Sequence, residues 1–124
     1  AFSNSVQGVV VYPNPWRSDG PTGRLSPANT AYGVKFDRMP AGQVRIKIFT
    51  LAGELVIDGT LDPSSLGATA EGGNLQVVDV GGATGQVTRW TIRNRSGRDV
   101  ASGTYIIMLE GPGGRAIRKV AIIR

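Results

Sequence analysis

With no histidine and no cysteine among 124 residues, the carboxylates are what this chain has for acid–base chemistry. A cysteine nucleophile, a histidine general base and a Ser-His-Asp triad are all ruled out, as is a zinc site of the usual His or Cys kind. The remaining candidates are Asp37 and Glu54 at expected strand ends, and Asp58, Asp62 and Asp79 around a long loop. A glycosidase needs two carboxyls facing one another across a sugar cleft, and the spacing pairs none of them. Calcium would accept oxygen ligands alone, but the tight Asp-x-Asp-x-Asp-Gly pattern is missing. Scattered acids of this kind read as solvated strand and turn residues. The expectation is a non-enzyme with no catalytic residue, cofactor or metal.

Glycine clusters at 71–74 (EGGN), 81–86 (GGATGQ) and 111–114 (GPGG) could suggest a phosphate cradle. None is followed by Lys-Ser or Lys-Thr, and none opens a helix whose amides could point at an anion. They read as turns. Charge is more telling, because the net +5 is unevenly placed. Arg89, Arg93, Arg95, Arg98, Arg115, Arg118, Lys119 and Arg124 face only Asp99 and Glu110 in the last third. Nucleic-acid-binding barrels interleave such cations with exposed aromatics. Here Trp90 and Tyr105 sit inside strand patterns, where aromatics pack. The basic third therefore reads as a solvated cationic face, and no specific nucleic acid is expected as a partner.

The elements that would position these residues are strands. Period-two alternation and short β-branched runs recur between Gly, Pro, Asn and Ser clusters. They predict strands over 7–12, 32–38, 43–50, 54–60, 74–80, 86–93, 103–110 and 115–123. Val44, Ile46 and Ile48 alternate with Arg45 and Lys47, giving one buried and one wet face. Thr50-Leu51-Ala52-Gly53 and Gly111-Pro112-Gly113-Gly114 predict hairpin turns. Residues 13–31 hold four prolines and predict a long connection. Residues 57–86 predict an extended irregular loop carrying one extra strand. The sum is an all-β chain, one immunoglobulin-like antiparallel β-sandwich of seven or eight strands over residues 1–124. No run reaches the roughly 18 apolar residues of a membrane helix, so no transmembrane segment is expected.

Three segments together carry a family resemblance: "YPNPW" (12–16), "GQVRIKIFTLAGELV" (42–56) and "WTIRNRSGRDVASGTYIIML" with "RKVAIIR" (90–124). The chain resembles the bacterial immunoglobulin-like domain of flagellar hook-capping proteins and the related C-terminal sorting domains of type IX secretion cargo. The segment 57–86 is longer than the family's connection, and "WTIRN" stands where the family often shows Trp-Asp-Gly. The resemblance implies a non-enzymatic sorting or anchoring module of an exported bacterial protein, placed outside the cell or on its outer surface. Its partner would be a secretion translocon or neighbouring protein domains. The residues it implies are Gly103 and Tyr105, with Lys119, Val120, Ala121, Ile122, Ile123 and Arg124 in the terminal strand, which ends where family members end.

A second function class stays open beside it. A structural subunit or spacer could associate with copies of itself through edge strands. The apolar stretch 6–12 (VQGVVVY) is the expected edge. Attraction of acidic glycans to the basic third is a third, weaker alternative. The tract "SGRDVASGTY" (96–105) is expected to be architectural, with Gly97 and Gly103 turning the backbone and Tyr105 opening a strand into the core.

Overall fold

Alternating apolar and polar residues make the long strands, and the computed structural model, which describes residues 2–124, shows how they assemble. In chain order they are β1 (Phe2–Ser3), β2 (Val10–Tyr12), β3 (Trp16–Arg17), β4 (Val34–Asp37), β5 (Met39–Pro40) and β6 (Val44–Thr50). Then follow β7 (Leu55–Leu61), β8 (Thr69–Ala70), β9 (Leu75–Asp79), β10 (Gln86–Trp90), β11 (Gly103–Gly111) and β12 (Gly114–Ile123). Two 3-10 turns, Val6–Gly8 and Glu71–Gly73, interrupt them.

Two five-stranded sheets form an all-β sandwich, one ordered β2-β4-β10-β9-β8 and the other β3-β12-β11-β6-β7. Pairing is antiparallel except where β3 runs parallel to the end of β12, Trp16 opposite Ile122. A parallel pair of β1 and β5 adds a small third sheet. Inward positions of the second sheet, among them Val44, Ile46, Ile48, Ile107, Leu109 and Ile122, join Val34, Phe36, Leu75 and Trp90 of the first in one buried cluster. Each fully buried Ile, Leu or Phe contributes about 1.5–3 kcal/mol. The sandwich therefore needs no disulfide.

Turn chemistry follows the sequence closely. The Thr50–Gly53 turn closes by the Gly53 amide donating to the Thr50 carbonyl at 2.9 Å, with Gly53 at φ 91°. A register shift between Ile48 and Phe49 sets Phe49 opposite Leu55. At the other hairpin Gly111 pairs with Gly114, so Pro112 and Gly113 form the loop between β11 and β12.

Three expectations change. The edge strand expected over 6–12 is a 3-10 turn followed by a three-residue strand, because Val6 is buried and its amide donates to the Pro112 carbonyl. The loop expected over 57–86 is largely ordered: β7 runs on to Leu61, and β8 and β9 occupy Thr69–Ala70 and Leu75–Asp79. The connection 13–31 contains β3, whose Trp16 is 1% exposed and packs edge-on to Tyr32 at 5.6 Å.

Candidate functional site

The residues implied by the resemblance lie on β11 and β12, and the alternation of β12 divides them. Val120 and Ile122 point into the core, each 1% exposed. Lys119, Ala121 and Ile123 point to the opposite face. Tyr105, paired with Val120, is also buried; its ring meets Trp90 edge-on and its hydroxyl donates to the Ala101 carbonyl at 2.6 Å. That bond to a carbonyl a few residues upstream is the corner device of immunoglobulin-type sandwiches. Burial raises the Tyr105 pKa above its usual value. Gly103 opens β11 opposite Ile122, and a methyl group there would touch nothing, so no close approach demands its glycine. Its φ of 158° is nonetheless one that other residues rarely adopt, and Gly97 turns the backbone at φ 78°.

Arg124 closes the far end. Its backbone amide donates to the Ser102 hydroxyl, while its guanidinium donates to the carbonyls of Val100 and Ile92. The last residue thereby fastens the 92–102 loop to the end of β12.

The outward edge of β12 would offer a row of unpaired backbone groups to another chain. Here it is closed. The Asn14 amide donates to the Lys119 carbonyl at 3.0 Å and its oxygen accepts from the Ala121 amide at 3.1 Å, reproducing a strand partner with one side chain. Asn14 stands between two cis X–Pro bonds, Tyr12–Pro13 and Asn14–Pro15. Gln7 donates to the Arg115 carbonyl, and the Ser18 amide to that of Ile123. Arg118 reaches across to the carbonyls of Val9 and Gln7, so the β2 segment is fastened to the same edge. The Tyr-Pro-Asn-Pro-Trp segment thus has a structural task, which is to cap the terminal strand.

What remains open to solvent is the outer face of the second sheet. Across it run the rows Leu55–Phe49–Ile106–Lys119 and Lys47–Met108–Ile117, read from the register of β7, β6, β11 and β12. Ile117 is 54% and Leu55 43% exposed, and Ile123 lies further along the same strand face. This is an apolar band on what is otherwise the wet side of a sheet, the kind of patch that can serve as an interaction surface. Cations and acids border it in pairs. Arg45 grips Asp58 through two bonds of 2.9 and 2.8 Å, which lower the Asp58 pKa, and Arg115 approaches Glu110 at 3.5 Å. Alternation within 43–50 revealed Arg45 and Lys47 as outward, but the apolar outward positions Ile106, Met108 and Ile117 escaped notice. They sit in continuous apolar runs, where a period of two is hidden.

The basic third is no single cationic face. Arg89 is 3% exposed, Arg93 pairs with Asp99, Arg95 with Glu71, and Arg118 and Arg124 are engaged by backbone carbonyls. Nor do the candidate carboxylates converge. Asp58 belongs to Arg45, Asp62 accepts from Ser64 and the Gly42 amide, and Asp79 accepts from the Gly81 amide. Among the described residues no three His, Cys, Asp or Glu side chains group as a metal site would require.

No protein-family model and no curated protein matches the chain. Among solved structures, it is similar to PorZ of Porphyromonas gingivalis, described as an essential bacterial surface component of the type-IX secretion system. The TM-score is 0.56 at 24% identity, over 94% of this chain and 12% of that one. The likeness is one of fold, shared with a small part of a much longer protein.

Proposed function

We propose that the chain is a non-enzymatic C-terminal sorting or anchoring module of an exported bacterial surface protein, acting outside the cell or at its outer surface. The observation that carries this reading is the outer face of the second sheet. There the terminal strand presents Ile117, Lys119 and Ile123 beside Met108, Ile106 and Phe49, while Asn14 and β3 close its edge. A closed edge prevents indiscriminate strand pairing, and an apolar face with a charged border suits recognition by a protein. A secretion translocon or a neighbouring domain is the partner this reading names. The fold likeness to a surface component of the type-IX secretion system supports that setting.

The test is delivery of a reporter. Residues 1–124 fused behind a fluorescent protein with an export leader should carry it to the surface of a bacterium that has type IX secretion. Ile117→Asp together with Ile123→Asp should strand it in the periplasm, with the purified domain still folded. Retention of the unsubstituted fusion in the periplasm would overturn the reading.

A second reading, a self-assembling structural subunit or spacer, is favoured by one observation. Strand β7 (Leu55–Leu61) ends its sheet, and Leu51 and Leu55 beside it are exposed. Residues 10–12 of the expected stretch 6–12 form β2, which ends the other sheet. Light scattering over a concentration series separates the two readings, since assembly through β7 would give mass growth that Val56→Pro abolishes.

A further inference from the structure

The face of the first sheet that points away from the core carries a row of polar side chains, Tyr12–Lys35–Arg89–Gln76–Thr69, one from each strand. The connection 13–31 lies over its middle. Lys35 and Arg89 are each 3% exposed, adjacent, and like-charged. Neither meets a carboxylate. Lys35 donates to the Ala31 carbonyl; Arg89 donates to the carbonyls of Asn29 and Tyr32 and to the Gln76 side-chain oxygen. The Arg89 Nε is buried and has no hydrogen-bond partner among the described residues. Two neighbouring buried cations facing only neutral acceptors are electrostatically incomplete, because buried charge is tolerated when it is paired.

A cleft of about 450 Å³ opens beside them, between the connection and the Glu71–Gly73 turn. That volume lies within the range of small-ligand sites. Its ionisable lining residues are Arg89 and Arg93, and no carboxylate lines it; Asn74, Gln76, Thr91 and Thr30 add amides and hydroxyls. Glu71 is engaged by Arg95, and Asp99 takes the Arg93 Nε at 3.3 Å, so Arg89 is the lining cation without an acid among the described residues. Backbone strain flanks the cleft on both sides. Glu71 holds φ 54° on one side, and Ile92, between the lining residues Thr91 and Arg93, holds φ 61° on the other. A β-branched residue in that region is a genuine outlier, and such outliers gather at functional sites.

We propose that this cleft is a binding site for a carboxylate ligand, the acid group set against Arg89 and Arg93 and its polar body against Asn74, Gln76 and Thr91. The Arg89 terminal nitrogens already donate to Asn29, Tyr32 and Gln76, so the acid would bond to Arg93 and supply Arg89 with the counter-charge it lacks. A free small acid and the acidic side chain of a peptide present the same chemistry.

Amide chemical-shift titration of the full 124-residue chain tests this with three probes. They are N-acetylglutamic acid α-amide, its neutral glutamine counterpart, and a capped Gly-Glu-Gly peptide. The acid should give saturable shifts confined to residues 27–32, 72–78 and 89–93, and the neutral amide should give none. Tighter binding of the peptide than of the free acid assigns the source to a chain segment, and the reverse order to a small metabolite. Arg89→Gln could loosen the connection through Asn29 and Tyr32, so Arg93→Gln and Asn74→Ala carry the mutational arm. Arg93→Gln should weaken binding by about tenfold, the scale of a charge-assisted hydrogen bond. Equal response to acid and amide, shifts spread over exposed cations elsewhere, or no saturation at tens of millimolar probe would each overturn the proposal.

Discussion

The guanidinium carbon of Arg124 lies 5.3 Å from the centre of the Trp16 ring, so the last residue of the chain covers the tryptophan of its first motif. The same guanidinium donates to the carbonyls of Val100 and Ile92, and Ile92 is held at φ 61°. One side chain thus ties together β3, the end of β12 and the strained loop between β10 and β11.

Removing that tie should cost stability. Arg124→Ala forfeits two charge-assisted hydrogen bonds and a cation–π contact, and should lower unfolding free energy by about 2 kcal/mol. Arg124→Lys should recover only part of this, because a point charge cannot reproduce the planar fork. Urea unfolding of the three proteins gives the answer. An alanine variant with an unchanged midpoint would show the contacts to be incidental.

Asn14 should be irreplaceable by its closest isostere. Its amide donates to Lys119 and its oxygen accepts from Ala121. The substitution Asn14→Asp would keep the acceptor but set a negative charge against the Lys119 carbonyl. Both Asn14→Asp and Asn14→Ala should cost about 1 kcal/mol, the net worth of hydrogen bonds at an exposed edge. Both should also expose the β12 edge, raising concentration-dependent dimerisation in light scattering. Loss of stability with no change in association would mean that Gln7 and β3 suffice to guard the edge.

The eight longer strands were legible because each spans enough residues for alternation or a β-branched run to show. The four two-residue strands were not. Two residues carry no period; β1, β3 and β5 exist because long-range closure brings them to a partner, and β8 is the short arm of a local hairpin with β9. Trp16 looked like part of a proline-rich connection, since nothing local says that it fills the core. Tyr105 was legible as a core-facing strand opener. Arg89 was the opposite case: it read as part of a solvated cationic face, but the cover over it comes from residues 27–32 and is set by tertiary structure alone. The terminal-strand residues were found as a contiguous run, which alternation then split between core and surface.

Stability should rise with pH above neutrality. Burial and the adjacent Arg89 charge bring Lys35 down to about 8, from 10.5 for a free lysine. Between these values the unfolded chain holds a proton that the folded chain has released, so raising the pH favours the fold; below about 8 both states are protonated and the slope vanishes. Tyr12 and Tyr105 oppose this at higher pH. Burial raises both, helped at Tyr12 by the Asp37 charge, so above about 10 the unfolded tyrosines ionise first and stability falls. Urea midpoints should therefore climb from about pH 7.5 to a maximum near roughly pH 10. Lys35→Met should abolish the climb while keeping the alkaline fall. A wild-type profile flat over that interval would contradict the assigned burial of Lys35.

Gly33 should tolerate alanine far less than Gly97, and their surroundings show why. Both have left-handed backbones, φ 97° and 78°. An alanine Cβ at Gly97 would meet open space, so Gly97→Ala should cost only the conformational penalty, about 1 kcal/mol. At Gly33 the same Cβ would lie 2.3 Å from the Trp90 carbonyl oxygen, on a buried backbone that cannot move without shifting β4 against β10. Gly33→Ala should therefore cost well over about 3 kcal/mol, in the range where strain and overpacking add. Near-equal unfolding midpoints for the two alanine variants would show that β4 and β10 can separate by a fraction of an ångström without loss. In that event the cover over Lys35 and Arg89 would be looser than the packing implies.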